Sequence, residues 1–184
     1  MKENLEPATV LAPIPAVMVS CGNFEKANIT TIAWTGIINS EPPLVYVSIR
    51  PTRYSYNIIK KTGEFVINIP NGDLVWQTDY CGTKSGKDVD KFKEAHLTKE
   101  KCKYVSAPAI AECPISLECK LKEIKGLGSH HMFIGEIVSV NAKEEIVENG
   151  KLNLAKANLI TYLGNAYYVA NEKVGDRGIC LKNS

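Results

Sequence analysis

The chain has 184 residues, enough for one domain with a proper core and marginal for two, so a single domain over residues 1–184 is expected. Its 22 basic and 20 acidic residues give a net charge of only +2, which argues against a nucleic-acid binder that works by neutralising phosphates. No apolar run is long enough to cross a bilayer, and the first residues lack a basic stretch leading into an apolar one, so no membrane association and a cytoplasmic location are expected.

Taken in chain order, alternating and β-branched stretches dominate. Residues 16–21 read as a strand closed by Gly22-Asn23, and residues 28–34 as a second, with Thr30 and Thr31 inside a β-branched run. Residues 44–49 form a third, set off by Pro42-Pro43. A short helix is predicted over 54–62, with Thr52 as N-cap and Gly63 as its left-handed terminator. A fourth strand over 64–69 stops at Pro70-Asn71-Gly72, and short helices follow over 74–80 and 89–95. Strands over 115–123 and 132–140 come next, with Gly135 as a bulge or a point of close backbone approach, and a last strand lies at 167–169. Six or seven strands without regularly alternating helices imply a mainly β, antiparallel barrel or sandwich.

The most informative stretch is Ser48-Ile49-Arg50-Pro51-Thr52-Arg53-Tyr54-Ser55. It hands a strand to a helix, where unpaired N–H groups and the positive end of the dipole attract an anion. Arg50 and Arg53 add planar forks suited to phosphate, and Ser48 and Ser55 add hydroxyls. A helix start with surface arginines is the plainer reading of the same residues. Trp34-Thr35-Gly36 offers an indole and a glycine that lets a flat ring approach, or simply core packing. Cys81-Gly82-Thr83-Lys84-Ser85-Gly86-Lys87 has phosphate-friendly residues, but Asp88 stands where a Walker loop needs Ser or Thr. The lysines from Lys84 to Lys93 alternate with acids and read as a solvated face.

The six cysteines include no C-x-x-C pair and are expected to be free thiols. His130 and His131 are adjacent, so an extended chain points them to opposite faces, which suits a ligand contact better than a metal. No metal site and no catalytic nucleophile are expected.

In this order, Asn28-Ile29-Thr30-Thr31-Ile32-Ala33-Trp34-Thr35-Gly36, Pro42-Pro43, the 48–55 junction, Asn68-Ile69-Pro70, Cys81-Gly82 with Ser85-Gly86, Asp90-Lys91-Phe92, and His130 with Phe133-Ile134-Gly135-Glu136 resemble the flavoredoxin and flavin reductase-like family. The resemblance covers about residues 8–170. It implies an FMN-binding, Greek-key-like split β-barrel, a homodimer, and noncovalent FMN near the dimer interface. By position, Asn28, Thr31, Trp34 and Thr35 should line the ring. Ser48, Ile49, Arg50 and Ser55 should take the ribityl chain and phosphate, helped by Ser85 and Lys91. His130 would sit near the ring and tune it by its charge, and Tyr162 would supply an aromatic contact. Arg53 fits the pattern as a surface residue.

The function implied is FMN-dependent oxidoreduction. One form is a flavin reductase using NADH or NADPH. The other is an electron carrier with no nicotinamide turnover of its own. The electron acceptor, protein or small molecule, is open.

Overall fold

The computed structural model describes residues 1–181. Five strands and a helix come first: β1 (Ile14–Pro15), β2 (Val17–Gly22), β3 (Ala27–Ile32), β4 (Thr35–Ser40), β5 (Pro43–Ile49) and α1 (Tyr54–Thr62). Then come β6 (Glu64–Ile69), α2 (Val75–Thr83), α3 (Lys91–Glu94), β7 (Lys99–Glu100) and β8 (Ala109–Ile110). The long hairpin β9 (Ile115–Gly126) and β10 (His131–Ala142) follows, then β11 (Val147–Glu148), β12 (Lys151–Leu152), β13 (Ile160–Leu163) and β14 (Ala166–Val169).

Seven strands form one antiparallel sheet in the order β3-β2-β6-β9-β10-β5-β4. Its inward side chains alternate as a half-buried strand should: Val17, Val19 and Cys21 on β2, Val45, Val47 and Ile49 on β5, Phe65 and Ile67 on β6, and Phe133 on β10 pack into one cluster. Helix α1 closes this cluster with Tyr56 and Ile59. The opposite face of β2 and β3 is also covered, because Met18 and Ile29 pack with Leu74, Cys81 and Phe92 from the α2–α3 region. Strand β2 is accordingly buried along its whole length. The sheet is curled into an open barrel. β3 and β5 are not hydrogen-bonded to each other, yet Thr31–Ile32 and Ser48–Ile49 wall a common cavity at the split.

Two glycines meet local demands of packing and backbone, one in the long hairpin and one at the end of α1. The β9–β10 register shifts between Ile134 and Gly135 and again between Ile137 and Ser139. Gly135 is both the bulge and the close approach expected: a Cβ there would lie 2.6 Å from Phe65 Cζ. At the end of α1, Gly63 adopts φ 68° and its N–H donates to the Ile59 carbonyl at 2.9 Å.

The structure corrects several expectations. Strand β3 ends at Ile32, and Trp34 lies in the bend before β4. Strand β4 was not among the strands expected from sequence, where Trp34-Thr35-Gly36 was read as a ring-binding segment. Gly36 pairs with Tyr46 instead, and the Tyr46 ring fills the space its missing side chain leaves, 3.2 Å from where a Cβ would be. Thr52 is not the N-cap of α1. That position is Arg53, and it makes no side-chain capping bond. Among the described residues there are more strands than the six or seven counted from sequence. β1, β7, β8, β11, β12 and β13 are two to four residues long and have little periodicity to read.

Candidate functional site

The 48–55 junction forms as a tight turn in which the Arg53 N–H donates to the Arg50 carbonyl at 3.0 Å. Helix α1 then starts without a side-chain cap and without an acidic residue in its first turn. Its positive end is left to whatever occupies the space in front of it. That space is a cavity of about 280 Å³ lined by Asn28, Thr30, Arg50, Arg53, Ser55, Ser85 and Lys91, together with Thr52, Tyr54, Lys84 and Gly86. Four cations and several hydroxyls line it, and no carboxylate does.

Its floor is buried and pre-organised. Asn28 Nδ2 donates to Ser55 Oγ at 2.7 Å, with both residues almost fully buried. Gly86 lies directly on this pair, since a Cβ on it would stand 1.7 Å from Asn28 Oδ1. No side chain is possible there without moving Asn28. Asp90 caps α3 by accepting from the Phe92 and Lys93 N–H groups, which sets Phe92 into the core and Lys91 beneath the cavity. Lys91 is 4% exposed. Its Nζ donates to the carbonyls of Ile29 and Cys81, both at 2.7 Å. An ammonium has three protons, so one remains beyond these two bonds. Burial lowers its pKa to about 8, the nearby Cys81 opposes this, and the Arg53 charge adds to the fall.

A second cavity of about 170 Å³ adjoins the first and shares Arg50 and Arg53 with it. Thr31, Trp34, Ser48, Ile49 and His130 line it. The Trp34 and His130 rings lie 4.5 Å apart at 43°, and Ser129 Oγ is 3.0 Å from His130 Nδ1. Burial, then the charges of Arg50 and Arg53, holds the His130 pKa below its ordinary value. His130 walls this cavity beside Trp34 and offers it a ring nitrogen. The Ser48 N–H donates to the Trp34 carbonyl at 2.9 Å and ties the bend to β5.

The structure thus brings together Asn28, Arg50, Ser55, Ser85 and Lys91 in one cavity, and Thr31, Trp34, Ser48, Ile49 and His130 in the other. The Thr31 hydroxyl is already engaged with the Thr78 carbonyl. Thr35 faces elsewhere: its hydroxyl donates to the Tyr46 carbonyl, and it lines a separate apolar cavity under residues 8–11, which also touches Trp34. Tyr162 lines none of these cavities. It sits on β13 opposite Ile14 and Tyr167 and donates to Asn165 Oδ1 at 3.2 Å.

Sequence reasoning passed over Thr30, Lys84 and Gly86, and set Arg53 aside as a surface residue. Arg53 belongs to both cavities, and its Nη1 donates to the Gly82 carbonyl at 3.2 Å. The signal was present in the two arginines spaced three apart around a turn. The lysine-rich run is also not a plain solvated face, since Lys91 is buried beneath the cavity and the exposed Lys84 lines it. Cys81 is buried and its thiol pKa is pushed up to about 11 by that burial, which makes it a poor nucleophile.

Comparison with known proteins agrees with this geometry. A family model described as the flavin reductase like domain matches residues 11–168. An uncharacterised protein of Pyrococcus abyssi is 31% identical over 165 residues, covering 90% of this chain and 94% of its own. The flavoredoxin of Desulfovibrio vulgaris (Miyazaki F) superposes with a TM-score of 0.89 at 32% identity, over 96% of this chain and 97% of that one. A flavoredoxin from Methanosarcina acetivorans gives the same TM-score at 27% identity, over 98% and 100%. An FMN-binding protein from Thermus thermophilus, at 22% identity and a TM-score of 0.78 over 96% and 98%, shares the fold. By its split antiparallel barrel and by the match over residues 11–168, the chain belongs to the flavin reductase-like family.

Proposed function

We propose that this chain binds FMN noncovalently and acts as an oxidoreductase, taking reducing equivalents from NADH or NADPH. The observation that carries this reading is the pair of joined cavities: a cationic one in front of an uncapped helix, and a flatter one walled by Trp34 and His130. The donor set fits the cofactor. A phosphate needs cations, hydroxyls and helix N–H groups, and Arg50, Arg53, Ser55, Ser85 and Lys91 provide them where no carboxylate competes. A ring system needs a flat apolar wall with a few polar partners. The flavoredoxin neighbours and the FMN-binding neighbour support the same reading by their names.

FMN, when bound, supplies the hydride and electron chemistry. The chain's own part is binding and orientation. Arg50 and Arg53 sit where the two cavities meet and fix the ligand's register. Ser55, held by Asn28, presents a hydroxyl at the helix start. The indole of Trp34, 40% exposed, leaves the ring cavity open to a second reactant. A homodimer belongs to the same proposal. Edge strand β4 exposes Ile37 and Ile38 beside Trp34, an apolar edge of the kind a partner covers.

Mixing the ligand-free protein with FMN tests the binding: quenching of FMN fluorescence at a 1:1 ratio is expected, and unchanged fluorescence refutes it. Anaerobic addition of NADH or NADPH to the loaded protein should bleach the flavin band. A band that bleaches only with a reduced protein partner marks an electron carrier without nicotinamide turnover. Size-exclusion elution as a monomer with FMN fully bound would rule out the dimer.

A further inference from the structure

We propose that Tyr56 and His131 are a positioning pair for the ring cavity: their contact fixes His130 against Trp34 at a set place relative to the start of α1. The inference deepens the FMN reading and rests on it. Tyr56 Oη lies 2.8 Å from His131 Nδ1. The two rings meet edge to face, with centroids 5.5 Å apart at 69°. Tyr56 is 8% exposed and also packs edge-on against Phe133, at 5.0 Å and 89°. It therefore touches two residues that stand two apart on β10 and share one face of that strand. His131 lies on the core side with Phe133, while His130, one residue earlier, walls the ring cavity.

Three observations make this more than a core contact. First, the pair joins the two ends of the site from behind. Tyr56 follows Ser55, whose hydroxyl is held by Asn28 in the cationic cavity, and His131 follows His130. Second, the hairpin tip beyond His131 has little else to hold it. Residues 125–129 are exposed, Leu127 by 58%, and Gly128 adopts φ 96°. His131 is the first residue of β10 after that tip, and it pairs with Ile49, which lines the ring cavity. Third, packing against Phe133 needs only an aromatic ring, so the buried hydroxyl is explained by its imidazole partner. A ligand gripped at α1 and at the Trp34–His130 wall needs the two ends at a fixed separation. The pair sets that separation before binding, so less ordering remains to be done when the ligand arrives.

Flavin fluorescence quenching, with visible circular dichroism of the bound flavin, tests the pair in single and double variants. Tyr56→Phe keeps the ring against Phe133 and removes only the hydroxyl. FMN and riboflavin should each bind about three- to tenfold more weakly, the size of one lost hydrogen bond, and the flavin circular dichroism should change. Riboflavin has no phosphate, so an equal loss on both ligands locates the effect at the ring end. In the His130→Ala background the same Tyr56→Phe change should alter affinity by less than about twofold, because the pair acts through His130. His131→Asn keeps a hydrogen-bonding group within reach of Tyr56 and should recover most of the affinity lost in His131→Ala. Equal losses with and without His130→Ala would overturn the inference and leave the FMN reading standing. So would a urea midpoint that falls while affinity and spectrum stay unchanged, or a loss seen with FMN alone. If Tyr56→Phe does not fold, the two His131 variants decide, and equal affinity and spectra in them overturn the inference. An unaltered chain that quenches neither flavin removes the FMN reading and the inference together.

Discussion

Raising the pH from 7 to 9 tests whether Lys91 faces the bound phosphate. In the empty fold its ammonium is 4% exposed and held by two carbonyls, and its pKa is about 8 against an ordinary 10.5. The folded state therefore grips this proton less tightly than the unfolded chain, by about 3 kcal/mol. The sign follows. Between about 8 and 10.5 the unfolded chain holds more protons than the fold, so the empty protein gains stability as pH rises through that window. Below it, the buried charge is a cost. A phosphate placed against the ammonium reverses the balance by favouring the charged form.

With a ligand-bound pKa restored towards 10.5, affinity for FMN should fall about tenfold from pH 7 to pH 9. Binding at pH 9 should take up about 0.9 proton, and at pH 7 only about 0.1. The phosphate loses its second proton near pH 6 and contributes little across this range. Titration calorimetry in two buffers of different ionisation enthalpy reads the proton uptake directly. Equal affinity at the two pH values, with no buffer-dependent heat at pH 9, would refute the placement of Lys91 against the phosphate.

Other outcomes follow from single positions. Gly86→Ala should push Asn28 off Ser55 and weaken FMN binding at least tenfold with the circular dichroism unchanged, because the new Cβ would overlap Asn28 Oδ1 at 1.7 Å; FMN titration checks it. Gly135→Ala should destabilise the barrel by about 1–3 kcal/mol in urea unfolding, since the new Cβ would stand 2.6 Å from Cζ of the fully buried Phe65. Glu118 is fully buried on β9 and accepts from the Tyr104 N–H, Asn141 Nδ2 and the Lys103 N–H. Burial raises its pKa, and these bonds outweigh that and leave it below the ordinary carboxylate range. Its contribution is present above pH 4.5 and lost as pH falls through the lowered value. Glu118→Gln should therefore cost about 1–3 kcal/mol at pH 7 by denaturant unfolding, and the gap should narrow in acid.

Local chemistry was legible in the sequence, and long-range geometry was not. Helix α1 could be read with Gly63 as its stop, because a left-handed residue after an amphipathic turn is a local requirement. The strands that build the barrel core were legible for the same reason, through period-two patterning. β4 escaped because the Gly36 space is filled by Tyr46, a residue on the neighbouring strand. The missing cap at Arg53 escaped because Thr52 is the better capping residue on propensity, while the Arg50–Arg53 turn holds it out of position. At the site, Asn28, Arg50 and Ser55 were found by residue type and order. The burial of Lys91 and the reach of Arg53 depend on how α3 and the 84–87 loop fold back over β3, which no local pattern encodes. Tyr162 was assigned by likeness of position alone, and it lies on β13, the middle strand of a separate three-stranded sheet.

The uncapped start of α1 has a consequence for the protein's life in a cell. A helix end without a cap, with cations gathered before it, leaves the empty chain short of stabilisation that a phosphate ligand would restore. At a ligand concentration one hundred times Kd, the gain is about 2.7 kcal/mol. Chains made faster than ligand is supplied would then open more often and meet proteases sooner. The steady amount of this protein would follow the flavin supply, with no dedicated regulator required.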